Sequence, residues 1–271
     1  VSADIEALIA DLASEDESIR RFAVEDLGDK RDSRAIRPLV AMLGDDSAAV
    51  REAAIDALSH VATDQTITSV VPLLSSEDAP ERNAACVVLR NVGLPAISHL
   101  CPLLNAEDKD VRKFAVDVLA SIGSPLAVDA LVAAMRDADV NVAGAAAEAL
   151  GRIGSALAIP AMLRSLSGNN WLTCTVVQSL ALIGGPVARG ALHEFINDKD
   201  EMVAFAAVQA LGRVGDETSL VHLQSLLRCG NSMIGSTARS TIQLILDRAD
   251  PDIAKSLREK MSTQLGVPAA R

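Results

Sequence analysis

Tyrosine is absent from this 271-residue chain, and four Phe and one Trp leave the aromatic share at 2%. Hydrophobic residues nevertheless make up 49%. The apolar material is therefore Ala, Leu, Val and Ile. Ala and Leu are strong helix formers, and small side chains let helices approach closely. A β-sandwich of this length would need more aromatic and β-branched filling, so composition predicts an all-α protein. Basic charge is short as well, with 25 Lys/Arg against 36 Asp/Glu and a net charge of −11. Nucleic-acid binding draws on a basic surface to displace phosphate counterions, so no nucleic-acid partner is expected. The deficit is uneven: residues 1–136 hold 13 Lys/Arg and 23 Asp/Glu, and residues 137–271 hold 12 and 13.

Further absences narrow the chemistry. Cys86, Cys101, Cys174 and Cys229 lie far apart with no CxxC. A chain of this size needs no disulfide staples, so buried free thiols in a reducing, cytoplasmic setting are expected. Neither a signal peptide nor an apolar run of about 18 residues is present, which predicts no membrane partner. The chain starts at Val1 rather than Met, as a fragment or a processed chain would. No H-E-x-x-H, G-x-S-x-G or phosphate loop occurs. The histidines His60, His99, His193 and His222 are dispersed, and only His193 precedes a Glu, Glu194. No catalytic residue, metal ligand or cofactor site is predicted.

What is there is a repeat. "ALGRIG" at 149–154 returns as "ALGRVG" at 210–215. With the Leu as anchor, equivalent positions are Leu27, Leu58, Leu89, Leu119, Leu150, Leu180, Leu211 and Ile242, at steps of 30 or 31 residues. Eleven residues before each anchor stands an N-cap type: Asp16, Ser47, Asp78, Asp108, Asp139, Asn169, Asp200 and Asn231. Four before it is Ala in seven units and Val176 in the sixth, a small residue expected to admit a neighbouring helix. Gly93, Gly123, Gly154, Gly184 and Gly215 follow the apolar stripe and are expected to end the helix in left-handed geometry.

A second helix is predicted after each first one, anchored at Leu43, Leu74, Leu104, Met135, Leu166, Ile196 and Leu227. Leu39, Val70, Leu100, Leu131, Met162, Leu192 and Leu223 precede these by one turn. The sixth unit has Arg189 where the others carry Ile, Val or Leu, which suggests one extra residue near Gly185–Pro186. Two-helix units of this length cannot bury their apolar faces alone and must stack. Ile5, Leu8 and Leu12 form a lone leading second helix, and 250–264 carries the polar face of a terminal cap.

The stretch "DADVNVAGAAAEALGRIGSALAIPAMLRSL", 137–166, resembles the HEAT repeat, and more narrowly the short bacterial and archaeal PBS-lyase HEAT-like type. The resemblance implies an armadillo-like solenoid, a right-handed α–α superhelix of about eight two-helix repeats. A single solenoid would span 1–264: a leading helix in 1–15, core repeats in 16–249, a capping helix in 250–264, then a tail. It also implies that second helices line a concave face that binds a protein.

Where the units disagree, function is sought. Arg20, Arg51, Arg82 and Arg112 stand seven before the anchor in the first four units and are lost thereafter. They are expected to form an Asp–Arg ladder between turns; a basic row receiving an acidic ligand is the alternative, which the surrounding acidity opposes. Nine before the anchor, Ser18, Ala49, Pro80, Asp110 and Asn141 give way to Trp171, Met202 and Met233. Large apolar residues on consecutive units form an edge suited to a partner, unless they fold back over the preceding loop. On the second helices, Arg37, Asp129, Arg164, His193, Glu194 and Gln224 are further partner-binding candidates. Among them lie small or weakly polar residues such as Ala41, Thr68, Pro72, Ser98, Pro102, Ala133 and Ser225.

The resulting expectation is a non-catalytic interaction scaffold or adaptor for a protein partner with a basic surface, which the acidic first half would steer. Two alternatives stand beside it: a phycobilin-lyase-like subunit binding a tetrapyrrole, and a structural spacer within a larger protein. HEAT-like deoxyhypusine hydroxylases hold iron with several His–Glu pairs, and HEAT-like DNA glycosylases use a basic, aromatic groove. Neither pattern is present.

Overall fold

The computed structural model describes residues 4–166 and 168–265, with side chains placed through Arg258. The expected tail at 266–271 lies outside the described residues. Among them the regular structure is entirely helical. First helices of the units are α2 (Glu17–Lys30), α4 (Ala48–His60), α6 (Ala79–Val92), α8 (Lys109–Ile122), α10 (Val140–Ile153), α12 (Asn170–Ile183), α14 (Glu201–Val214) and α16 (Ser232–Arg248). They alternate with α1 (Ile5–Asp11), α3 (Ile36–Ala41), α5 (Asp64–Val70), α7 (Ile97–Leu100), α9 (Val128–Ala134), α11 (Ile159–Arg164), α13 (Gly185–Phe195), α15 (Glu217–Leu226) and α17 (Pro251–Leu265). Two compact units emerge, Val1–Ala149 and Leu150–Arg271, with α10 running across the division.

All eight first helices start on the residue type the repeat assigns. Asp16, Asp78, Asp108, Asn169, Asp200 and Asn231 each accept a first-turn backbone N–H at 2.8–3.1 Å. Asp139 does so from Asn141 at 2.8 Å, and Ser47 from Val50 at 3.4 Å. Such a cap satisfies one of the four orphan donors of a helix start. The anchors and the small residues four before them are buried in every unit.

Helix ends follow the prediction in part: Gly123 ends α8 in left-handed helical geometry, whereas Gly93 and Gly184 combine positive φ with ψ of −129° and −167°. Gly93, Gly123, Gly154 and Gly184 have positive φ, but Gly215 is extended at φ −66° and ψ 150°. Its need for glycine is spatial: a Cβ there would lie 2.8 Å from Ile245 Cδ1. In the first unit the left-handed place is taken by Arg31, at φ 50°.

A close helix–helix approach falls at glycine. It lies between the residue after one anchor and the residue before the next. A Cβ on Gly28 would meet Ala57 Cβ at 2.7 Å, and one on Gly151 would meet Ser179 Cβ at 2.8 Å.

Proline breaks the helical ladder of two second helices, α5 and α7. Pro72 and Pro102 each stand near the start of a 3₁₀ turn, 71–75 and 101–105, that continues α5 and α7. The sixth unit carries no extra residue. Leu192 and Ile196 keep the standard spacing from Leu180 and are buried. Arg189 simply replaces the apolar residue, and its guanidinium reaches Asp216 at 2.8 Å and the Val214 carbonyl at 3.3 Å.

Candidate functional site

In the second unit, α12, α14 and α16 pack in sequence, α14 lying against both others. Their first turns place Trp171, Met202 and Met233 at equivalent positions, and all three are open to solvent, at 52%, 62% and 42%. Asn170 Nδ2 donates to Asp200 Oδ2 at 2.5 Å, tying the first turn of α12 to the cap of α14. Thr175 Oγ1 donates to the Trp171 carbonyl at 3.1 Å. The indole therefore projects from a turn held at both ends.

The second-helix candidates divide by unit. Arg37 and Asp129 are exposed in the first unit; Arg164 and Glu194 are exposed in the second, where Gln224 is half-buried. His193 is also half-buried, and the structure brings it against His222. The two rings stack with centroids 4.2 Å apart and an interplanar angle of 22°. Sequence distance hid this pair, because the two residues come from successive second helices at different offsets from their anchors. His193 Nε2 lies 2.8 Å from the Oγ of the fully buried Ser219. Ser219 Oγ also accepts the Asp216 N–H at 3.4 Å in a capping box, so one hydroxyl joins the start of α15 to the imidazole.

Burial first, then His222 and Arg189, hold the His193 imidazole below its usual range. The unfolded chain thus binds this proton more readily than the folded one, so folding loses stability as pH falls. The loss should begin near the unfolded histidine value of about 6.5 and continue through the lower folded value. Melting followed by circular dichroism between mildly alkaline and mildly acidic pH should show a drop that His193→Gln reduces. An unchanged pH profile in the variant would contradict this role for the ring.

The arginine row is structural. Arg20 forms a two-pronged bond to Asp45, at 2.7 and 2.8 Å, and Arg112 does the same to Asp137, at 2.6 and 2.8 Å. Those guanidinium bonds hold both carboxylates below their usual range. Each arginine also reaches back to carbonyls of its own preceding turn, such as Arg51 to Asp45 O at 2.6 Å and Arg82 to Ser76 O at 2.5 Å. Rungs form where the next unit supplies Asp thirteen before its anchor. Ser76 and Ala106 stand there for Arg51 and Arg82.

Arg82 Nε is consequently buried with no partner, while its guanidinium lies 4.9 Å from the Phe114 ring centroid. Ala106→Asp should supply the missing rung and an acceptor for the Asp108 N–H. Part-exposed pairing of this kind is worth about 1 kcal/mol, or roughly 2–4 °C in apparent Tm for a chain of this size. A melt showing no gain would mean that the Arg82 slot cannot seat a carboxylate.

The four cysteines are half-buried rather than fully buried and unpaired. Burial raises the thiols of Cys86, Cys101 and Cys174, which keeps them protonated and poor nucleophiles. Among the described residues no group of three or more His, Cys, Asp and Glu is arranged to hold a metal ion. Among them, too, no single helix is long and apolar enough to cross a membrane.

A family model described as HEAT repeats matches residues 5–90, 97–173 and 166–243. No curated protein matches the chain. Among solved structures, a Kap121p variant aligns over 97% of this chain and 35% of its own, at 14% identity and TM-score 0.62. Importin beta aligns over 96% and 46%, at 15% identity and TM-score 0.56. The chain therefore spans less than half of either protein. The CpcE–CpcF complex of phycocyanin lyase from Nostoc sp. aligns over 90% and 94%, at 22% identity and TM-score 0.35. At these identities the likeness to Kap121p and importin beta is one of fold.

Proposed function

The chain belongs to the HEAT-repeat family, and on that premise we propose that it is a non-catalytic, cytoplasmic scaffold that binds a protein partner. The partner lies on the second-helix strip and on the Trp171–Met202–Met233 edge. The observation that carries this is the edge itself. Packing explains what the units share, but it does not call for large apolar side chains at a solvent-facing first-turn position. Five units place small or polar residues there, and the last three place Trp and Met. Trp and Met are enriched in the buried cores of interfaces, and Trp is a frequent hot spot. The acidic balance of residues 1–136 favours a partner with a basic surface and speeds its encounter at low salt.

Affinity capture from an extract of the source cell tests the proposal, with the wild-type chain and a Trp171→Ala/Met202→Ala pair as baits. A protein retained by the first and lost from the second is the expected result. Equal retention on both baits would remove the edge from the proposal, and retention of nothing on either would favour a structural spacer.

A further inference from the structure

Two members of the arginine row are satisfied from within the chain, and they define what such a slot holds. In both, the arginine Nη1 donates to the carbonyl six residues before it, Arg20 to Ser14 and Arg112 to Ala106, each at 2.9 Å. Nε and Nη2 then meet the two oxygens of one carboxylate from the next unit, Asp45 or Asp137, at 2.6–2.8 Å. The same carboxylate accepts a backbone N–H two residues on, from Ser47 or Asp139, at 2.8 Å. Three N–H donors thus converge on one carboxylate, a charge-assisted and geometrically specific arrangement.

Arg82 is set in the same way and holds nothing. Its Nη1 donates to the Ser76 carbonyl, again six residues back. The place of Asp45 and Asp137 falls to Ala106, which has no side-chain oxygen. Arg82 Nε is buried with no partner among the described residues, which costs the fold a desolvated donor. The Phe114 ring, its centroid 4.9 Å from the guanidinium carbon, offers no lone pair in exchange. Arg82, Ser76, Asp108 and Phe114 also line a cavity of about 200 Å³, so the unmet donor comes with room for a ligand. Arg51 differs, because Ser76 stands in its slot and donates its hydroxyl proton to Glu81 at 2.5 Å.

The rest of the lining narrows the ligand. Glu77, Asp108 and Asp110 belong to the same cavity and are exposed. A lone carboxylate would meet them as like charges, whereas one flanked by Lys or Arg would not. Nearby acid does not by itself empty such a slot, since Arg112 pairs with Asp137 although Asp139 stands two residues on. We propose that the Arg82 slot seats the side-chain carboxylate of an Asp or Glu from a partner protein, on a segment that carries Lys or Arg beside it. That carboxylate takes the place of Asp45 and Asp137 in the filled rungs, and its basic neighbours meet Glu77, Asp108 and Asp110. The proposal rests on the scaffold reading for the source of the carboxylate and does not depend on the Trp171 edge.

The test uses the full chain and two fluorescein-labelled peptides, amidated at the C-terminus, with Lys on both sides of one central residue. That residue is Asp in the first peptide and Asn in the second. Anisotropy at low salt should show the Asp peptide binding at least about fivefold more tightly. Arg82→Gln should erase the preference. Ala106→Asp, which fills the slot from within, should erase it too while raising apparent Tm, a combination that damage to the fold cannot imitate. Both variants should keep the weaker, salt-sensitive binding that the Lys residues supply. Equal affinity of the wild-type chain for the two peptides, or a preference that survives Ala106→Asp, would overturn the proposal. Acetate is the remaining arm. If it moves the Arg82 Nε–H resonance in NMR while the two peptides bind alike, the slot takes a free carboxylate and a protein as its source is overturned. The Trp171→Ala/Met202→Ala pair should leave the Asp preference intact, so failure of the slot and failure of the edge are told apart.

Discussion

Leu180→Ala will cost about 3–4 kcal/mol, the loss expected for a fully buried leucine whose surroundings cannot collapse into the void. Leu180 has no exposed surface and anchors α12, which packs against α13 and α14. Stacked repeats have no distant contacts to share the loss, so the damage should stay near its source. Hydrogen exchange should show α12 and its neighbours losing protection, while α2 and α4 in the other compact unit keep theirs. Leu182→Ala, two residues on and exposed, should change stability by less than about 0.5 kcal/mol. Uniform loss of protection over the whole chain would contradict an array held by nearest-neighbour contacts.

The second large effect falls on binding and leaves the fold alone. Trp171→Ala/Met202→Ala should weaken the captured partner by about 2–4 kcal/mol, as for paired hot-spot residues, or by thirtyfold or more on the scale of about 1.4 kcal/mol per tenfold. Apparent Tm should be nearly unchanged, because both side chains already face water in the free chain. Titration of the purified partner by calorimetry reads the first quantity and a thermal melt reads the second. Loss of binding together with a large fall in Tm would mean that the two residues support α12 and α14 rather than a partner.

Much of this fold is written in local sequence. The N-caps, the anchors and the positive-φ glycines each depend on chemistry within one turn, so alignment of the repeats finds them. Contacts between successive units are harder to read. The Arg20–Asp45 rung needs the arginine of one unit set beside the turn of the next, and only that two-unit comparison exposes Ala106 as the gap. His193 and His222 meet although they hold different places in their units. Gly215 looked like Gly154 in sequence, but its environment makes it extended and crowded by Ile245. Arg189 read as an insertion because an arginine was not expected at a packing position, and its ion pair with Asp216 explains how it is accommodated. The edge residues were legible as a departure from the repeat, and the structure adds that they are exposed.

Trp171 is the only tryptophan in the chain, so its fluorescence reports on the proposed edge and nothing else. The decisive measurement is its emission and acrylamide quenching, in the free chain and after addition of the captured partner. The scaffold account predicts a water-exposed, readily quenched indole that shifts to the blue and becomes protected in the complex. An indole already protected in the free chain, or one whose emission and quenching stay the same when the partner binds, would contradict it.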